Sequence, residues 1–316
     1  MLDRDGDHSV GKDSPSQLQV RGERKLARAG YGIGLDTFLS PFMDPDVDDG
    51  LEYWETQPAS LDGVLGGFGN GSLPRIDSLG SRLFLLNLLP ELSTVPSALR
   101  PLKPPTRRTR ALDVGAGIGR VTADVLLHLI SDVVLLEPVD KFIQQALSRG
   151  RASATPPADL QPGQHPWHGI AAEKTSVTFL RGTLQDFDPA RPHHATMIDR
   201  VGYNPTLTDA LSGFDVVWCQ WCLGHLSDPD LVAFFKRSHA ALRERGRSVI
   251  VVKENLCTDE PDGTACVVFD EQDSSLTRSD RAWKNVFEEA GLKLVNEQVQ
   301  EGLPAGLYVV KMYALR

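Results

Sequence analysis

Arg110-Ala-Leu-Asp-Val-Gly-Ala-Gly-Ile-Gly-Arg120 decides how this chain is read. Ala111 to Val114 is a short apolar run carrying Asp113, and Gly115, Gly117 and Gly119 alternate after it. From Ile118 the apolar pattern turns helical through Leu129. The stretch therefore predicts a buried strand, a tight glycine turn and the start of a helix, with side chains absent where backbone must approach a ligand closely. A dinucleotide fingerprint places its third glycine three residues after the second. Here Gly119 comes two after Gly117, and Arg120 stands where that glycine would be.

A second signal lies downstream. Val133-Val-Leu-Leu136 reads as another buried strand, and Glu137 ends it, where a carboxylate accepts hydrogen bonds from both hydroxyls of a ribose. Asp-x-Gly-x-Gly-x-Gly followed by an acidic strand end resembles the S-adenosylmethionine (SAM) site of class I methyltransferases.

The whole chain narrows the classes. Its 316 residues allow one large or two small domains, and 41% hydrophobic residues suffice for a core. A net charge of −9 argues against a nucleic acid held on a basic surface and suits a cationic peptide better. No apolar run is long enough to span a membrane, and the acidic start Met1-Leu-Asp-Arg-Asp-Gly-Asp7 does not read as a signal peptide. Four cysteines in so long a chain do not make a disulfide framework, so the cytoplasm or nucleus is expected.

Residues 1–48 are polar and lack apolar period, as in a disordered arm, with a short helix over Lys25–Tyr31. The remainder, 49–316, reads as one catalytic domain. Within it 49–100 form a helical cap and lid, including a helix over Ser81–Leu89, and Leu102 to Arg110 form a basic linker. Residues 149–173 and 188–212 have no period and read as irregular insertions, and 254–278 as a polar excursion. Helices are expected over Lys141–Ser148, Leu231–Leu242 and Asp280–Ala290. Further strands are Val177–Leu180, Phe214–Gln220, Ser248–Val252 and a closing antiparallel pair, Leu292–Gln298 with Leu307–Ala314. This order predicts an α/β fold: a mostly parallel sheet covered on both faces, with a C-terminal antiparallel hairpin. Ligands on such sheets sit beyond the carboxyl ends of the strands, which selects Gly115, Glu137, Leu184, Gln220 and Asn255 as neighbours.

Gln220-Trp-Cys-Leu-Gly-His225 supplies a second constellation. Trp221 offers a flat face for a ring such as proline, although a core role fits it as well. As a histidine, with an ordinary titration near neutrality, His225 could take a proton, although a lone histidine after a strand is more often structural. Cys219 and Cys222 have C-x-x-C spacing, but Cys219 falls on a buried strand, which disfavours redox or zinc chemistry. The carboxylates of Phe269-Asp-Glu-Gln-Asp-Ser-Ser275 suit a cationic side chain or the deprotonation of an amine.

Tyr53-Trp54, Asp62-Gly-Val-Leu-Gly-Gly-Phe-Gly69, Gly182-Thr-Leu-Gln-Asp-Phe187, Gln220 to Leu226, Lys253-Glu-Asn255, Asp270 to Ser275 and the terminal Leu307-Tyr308 and Tyr313-Ala-Leu-Arg316 carry a fuller match. Together with the glycine stretch, they resemble the protein α-N-terminal methyltransferases, over about residues 50–316. That resemblance implies a class I, Rossmann-like sheet and SAM as cofactor, leaving as S-adenosylhomocysteine (SAH). It also implies protein substrates with a free X-Pro-Lys N-terminus, with ribosomal and chromatin proteins typical. The implied SAM contacts are Gly115, Arg120, Glu137, Pro138, Leu184, Gln185 and Gln220. The implied peptide groove comprises Trp54, Leu65, Gly66, Trp221, His225, Asn255, Asp270, Asp273, Ser275, Leu307 and Tyr308. By the same resemblance Trp221 packs on the second-position proline, Asp270 and Ser275 receive the third-position lysine, Asn255 orients the amine, and His225 and Asp273 are the proton acceptors. No metal is required. A small-molecule SAM methyltransferase and a non-catalytic SAM- or peptide-binding module are the alternatives.

Overall fold

In the computed structural model, residues 44–96, 107–155 and 165–316 are described. The expected arm and its Lys25–Tyr31 helix lie outside them, apart from the arm's last five residues, as does most of the 102–110 linker. In chain order the elements are α1 (Val47–Thr56), α2 (Leu61–Val64), α3 (Leu73–Leu88), β1 (Arg110–Val114), α4 (Arg120–Asp124), β2 (Asp132–Glu137), α5 (Asp140–Ala154), β3 (Ser176–Arg181) and β4 (Thr196–Gly202). They continue with α6 (Leu207–Ala210), β5 (Val216–Gln220), α7 (Asp228–Ala240), β6 (Val249–Leu256), β7 (Val267–Asp270), β8 (Ser275–Arg278), α8 (Asp280–Glu289), β9 (Leu294–Val299) and β10 (Val309–Leu315).

Eight strands form one sheet in the order β4-β3-β2-β1-β5-β6-β10-β9. The run from β3 to β6 is parallel, whereas β4, β10 and β9 pair antiparallel. Every residue of β1, β2 and β5 is buried, as parallel strands covered on both faces require. Alternation sorts their side chains. Leu112, Val134, Val217 and Ile250 meet Phe234 and Phe235 of α7 and Trp283 and Phe287 of α8. Ala111, Val133, Trp218 and Val251 meet Phe84 and Leu85 of α3 and Ile143 and Leu147 of α5. The mostly parallel sheet and its antiparallel C-terminal hairpin are thus as expected.

Five segments depart from the sequence reading. The helix after the glycine turn stops at Asp124 and resumes as a single 3-10 turn at Leu126–His128. Val125 ends α4 with φ −125° and ψ −64°, outside helical geometry, while Val125, Leu126 and Leu127 are all buried, so the apolar pattern runs on past the break. Helix α5 runs on to Ala154, and Trp167 and Ile170 join the core, so much of 149–173 is packed structure. Its Ala-Ser-Gly-Arg composition hides this, because Gly150 sits where a Cβ would stand 3.1 Å from the Phe179 ring. Residues 188–212 are not wholly irregular, since they contain β4. That edge strand has Val201 as its one buried residue, too little alternation to read. Residues 254–278 contain the β7–β8 hairpin, whose polar turn presents Asp273. Also, α3 starts at Leu73, eight residues before the expected Ser81.

Candidate active site

The five parallel strands end at one edge, and the glycine turn lies there. Gly115 and Gly117 take left-handed conformations, φ +58° and +56°, that other residues adopt only with strain. A Cβ on Gly115 would stand 2.4 Å from that of Cys222, so the turn is seated directly on the loop after β5. The Gly117 N–H donates to Glu137 Oε2 (2.7 Å), and Val139 N–H donates to Oε1 (2.9 Å). Burial pushes the Glu137 carboxyl up to about 7, against these two bonds. Burial likewise raises Asp113 to about 6, where the Thr122 hydroxyl holds it.

A cleft of about 1020 Å³, open solvent at its mouth included, lies over this turn. Gly115, Arg120, Glu137, Pro138, Leu184, Gln185 and Gln220 all line it, so every residue expected to contact SAM falls on one surface. Leu51 and Trp54 of α1 and Val64 of α2 close the other side. A bare glycine turn, a buried carboxylate at the second strand end and the apolar wall of Val139 and Phe142 match the sugar, the backbone approach and the flat base of SAM.

A second cleft of about 840 Å³ adjoins the first. Gly66, Asn255, Asp273 and Ser275 line it, and Trp54, Val64, Trp221 and His225 line both. A small third pocket holds Leu307, Tyr308, Asn255 and, again, Trp221. Trp221 therefore stands where all three meet. It does so with φ +54°, and its indole N–H is buried without a partner. Its backbone N–H donates to the Lys253 carbonyl (3.2 Å).

His225 is more constrained than a free base. Trp54 donates its indole N–H to His225 Nε2 (3.0 Å), which occupies that lone pair. Burial lowers the imidazole's affinity for a proton, opposed by the Asp273 charge and the Ser274 backbone. Burial raises the Asp273 carboxyl, and the Ser275 hydroxyl donates to its Oδ1 (2.6 Å). Helix α1 is tied to this turn. Asp46, which caps the helix, donates its N–H to Ser274 Oγ (2.8 Å).

Two expected groove residues stand apart. Leu65 is 1% exposed, a core side chain that lines none of the three cavities. Asp270, at the end of β7 opposite Ser275, is also outside these linings. Its charge nevertheless acts on Tyr53 and Tyr308, whose hydroxyls burial raises first. Cys219 and Cys222 are buried, their thiols pushed well above the usual range by burial, and Cys222 donates to the Val114 carbonyl. Among the described residues no cluster has the makings of a metal site.

Two buried carboxylates escaped the sequence reading. Glu254 accepts the N–H groups of Cys222 (3.0 Å) and Leu223 (3.1 Å) and so fixes the loop that presents Trp221; burial raises it to about 7. Asp77, fully buried on α3, accepts from Arg120 (2.5 Å), Lys253 (2.6 Å) and Gln220 (2.8 Å). Lys253, following an apolar strand, was the available signal, because a buried cation demands a counter-charge.

The sequence profile of one family, described as AdoMet dependent proline di-methyltransferase, matches residues 44–316. An Alpha N-terminal protein methyltransferase 1 from Schizosaccharomyces pombe is 34% identical over 275 residues, covering 86% of this chain and 98% of that protein. Its counterpart in Arabidopsis thaliana is 37% identical, over 84% of this chain and 78% of that one. The human N-terminal Xaa-Pro-Lys N-methyltransferase 1 is 32% identical, over 84% and 92%. A solved SAM-dependent methyltransferase from Leishmania major superposes with a TM-score of 0.59 at 31% identity, over 85% of this chain and 82% of that one.

Proposed function

The chain belongs to the AdoMet-dependent proline di-methyltransferase family, is a SAM-dependent methyltransferase, and on that premise we propose that it methylates the α-amine of protein N-termini reading X-Pro-Lys. One observation supports this most: a cofactor-shaped cleft and a carboxylate-edged cleft share the wall of Trp54, Trp221 and His225. With SAM in the first cleft, an amine in the second would lie against the wall that the two share.

When bound, SAM supplies a methyl on a sulfonium, and transfer is an in-line displacement that depends on positioning. Of the residues that line the first cleft, Glu137 would hold the ribose of SAM, Leu184, Gln185 and Pro138 would border its base, and Gly115, Arg120 and Gln220 would face its amino-acid end. Trp221 gives the proline a flat wall, backed by Leu307 and Tyr308, and Asn255 orients the amine. Gly66 borders the peptide's path. Ser275 and Asp270 receive the lysine. Asp273 takes the proton. His225 shapes the wall, since the Trp54 indole occupies its Nε2. An N-terminal amine has a pKa of about 8, so the base has modest work to do at neutral pH.

The test is mass spectrometry of a Ser-Pro-Lys peptide incubated with the protein and SAM, beside α-N-acetylated and Ser-Pro-Gln copies. Methyl increments on the first peptide alone are expected. With SAH binding shown separately, no increment on any peptide would sink the proposal.

A pH dependence follows from Glu137. Ribose hydroxyls donate to the carboxylate and so favour its ionised form, while burial holds the unliganded group at about 7. SAH affinity is therefore expected to fall about tenfold from pH 8 to pH 6, as the group takes up a proton that binding must release. Calorimetry at the two pH values checks this, and Glu137→Gln should weaken binding and flatten the profile. An equal slope in that variant would point to another group.

A further inference from the structure

Asp77 is one residue holding three donors. Its Oδ2 accepts from Arg120, and its Oδ1 accepts from Lys253 and Gln220. Gln220 is fixed from the other side as well, because its Oε1 accepts the Trp218 indole N–H (3.1 Å). Lys253 Nζ is enclosed by Ser81 Oγ (2.9 Å), Gln300 Oε1 (3.0 Å) and the Asp77 carbonyl (3.2 Å). Burial lowers the proton affinity of this amine, and the Asp77 carboxylate opposes that, as the surrounding acceptors do. The Arg120 and Lys253 charges hold the Asp77 carboxyl below the usual carboxylate range despite burial.

Two of the three donors line the cofactor cleft, and Arg120 also stands 5.3 Å from the Trp221 ring centre. Asp113, the other carboxylate felt by Arg120, is occupied by the Thr122 hydroxyl instead. Asp77 thus decides where Arg120 and Gln220 point. It lies one helical turn from Leu73, which walls the third pocket with Trp221 and Asn255.

We propose that Asp77 is a positioning residue for the amino-acid end of SAM: from helix α3 it aims Arg120 and Gln220 into the cleft, while Lys253 ties the same helix to β6. The inference rests on the placement of Arg120 and Gln220 at that end of the cofactor. It adds a group that touches neither substrate nor cofactor. Asparagine at 77 keeps the shape but presents an amide N–H₂ to a ring of donors and loses the charge that fixes Arg120.

The experiment compares SAH with 5′-methylthioadenosine, which has the same nucleoside but no amino or carboxyl group, by calorimetry on the full chain. Asp77→Asn is expected to weaken SAH about tenfold or more and to leave methylthioadenosine within about twofold. A merely structural Asp77 would weaken both alike, and that result overturns the proposal. Arg120→Met serves as the reference. If it fails to weaken SAH selectively, the placement of the amino-acid end is wrong and the inference falls with it. If it does so and Asp77→Asn does not, the role of Asp77 alone is refuted. Lys253→Met leaves Asp77 with Arg120 and Gln220, so it should lower Tm while keeping the ratio of the two affinities. A ratio lowered as far as in Asp77→Asn would count against positioning. Should Asp77→Asn not fold, Asp77→Asn/Lys253→Met removes the buried cation with its partner, and selective loss of SAH is expected there too. An unchanged ratio in that double variant would overturn the inference.

Discussion

Asp273→Asn is expected to lower kcat for a Ser-Pro-Lys peptide by about 100-fold at pH 7, the lower range for losing a general base. The carboxylate lies in the second cleft, its Oδ1 engaged by Ser275, with burial raising its proton affinity toward that of the amine. It lines the second cleft and not the first, so SAH affinity should move by less than about twofold. The pH profile carries the sharper test. An N-terminal amine loses its proton unaided above a pKa of about 8, so the deficit should shrink to less than about tenfold near pH 9.5. A loss independent of pH would make Asp273 a structural or orienting group. Single-turnover methyl transfer followed by mass spectrometry measures both. His225→Phe should cost less, because its Nε2 already accepts the Trp54 indole.

The second large effect is expected at Asp270. Asp270→Lys should lower kcat/KM for Ser-Pro-Lys by about 100-fold or more, since a charge pair becomes a repulsion and the loss exceeds that of simple truncation. Its charge reaches Tyr53 and Tyr308, which sit beside the second cleft and in the third pocket. Asp270 also pairs with Ser275 across the β7–β8 hairpin, and Ser275 lines the second cleft, which puts the carboxylate beside the proposed peptide path. SAH binding should be retained within about twofold. A Ser-Pro-Glu peptide should lose less in the variant than Ser-Pro-Lys does. Equal losses for both peptides would show that Asp270 shapes the β7–β8 hairpin and does not read charge.

The cofactor half of the site was legible because it is written locally. Gly115 to Arg120 and Glu137 lie on consecutive elements, and glycines that must take positive φ leave a mark in sequence. The proposed peptide half is assembled from distant loops, so Trp54, His225 and Asp273 converge only through the fold, and family resemblance supplied what spacing could not. Leu65 shows the limit of carrying positions over. Its neighbour Gly66 reaches the cleft, whereas its own side chain turns into the core. Asp77 was missed for a physical reason. A single carboxylate on a helix looks solvated until tertiary packing brings Arg120, Lys253 and Gln220 around it. The edge strand β4 was invisible because Val201 is its one buried residue, so neither face leaves an apolar pattern to read.

Trp221 constrains chain length as well as residue type. Along β5, Val217 and Cys219 face one side of the sheet and Trp218 the other, and a regular continuation would aim residue 221 at the α7–α8 face. The left-handed conformation breaks that alternation and swings the indole into the junction of the clefts, at a cost of about 1–2 kcal/mol. The ring therefore depends on being the first residue beyond the strand, with Glu254 holding the turn that follows. Insertions and deletions divide the molecule accordingly. Near Leu207–Ala210 a residue gained or lost changes only the exposed surface, whereas between Cys219 and His225 a single one would rotate the wall shared by both ligands out of place. Homologous chains should accordingly vary in length around the first segment and keep the second at constant length.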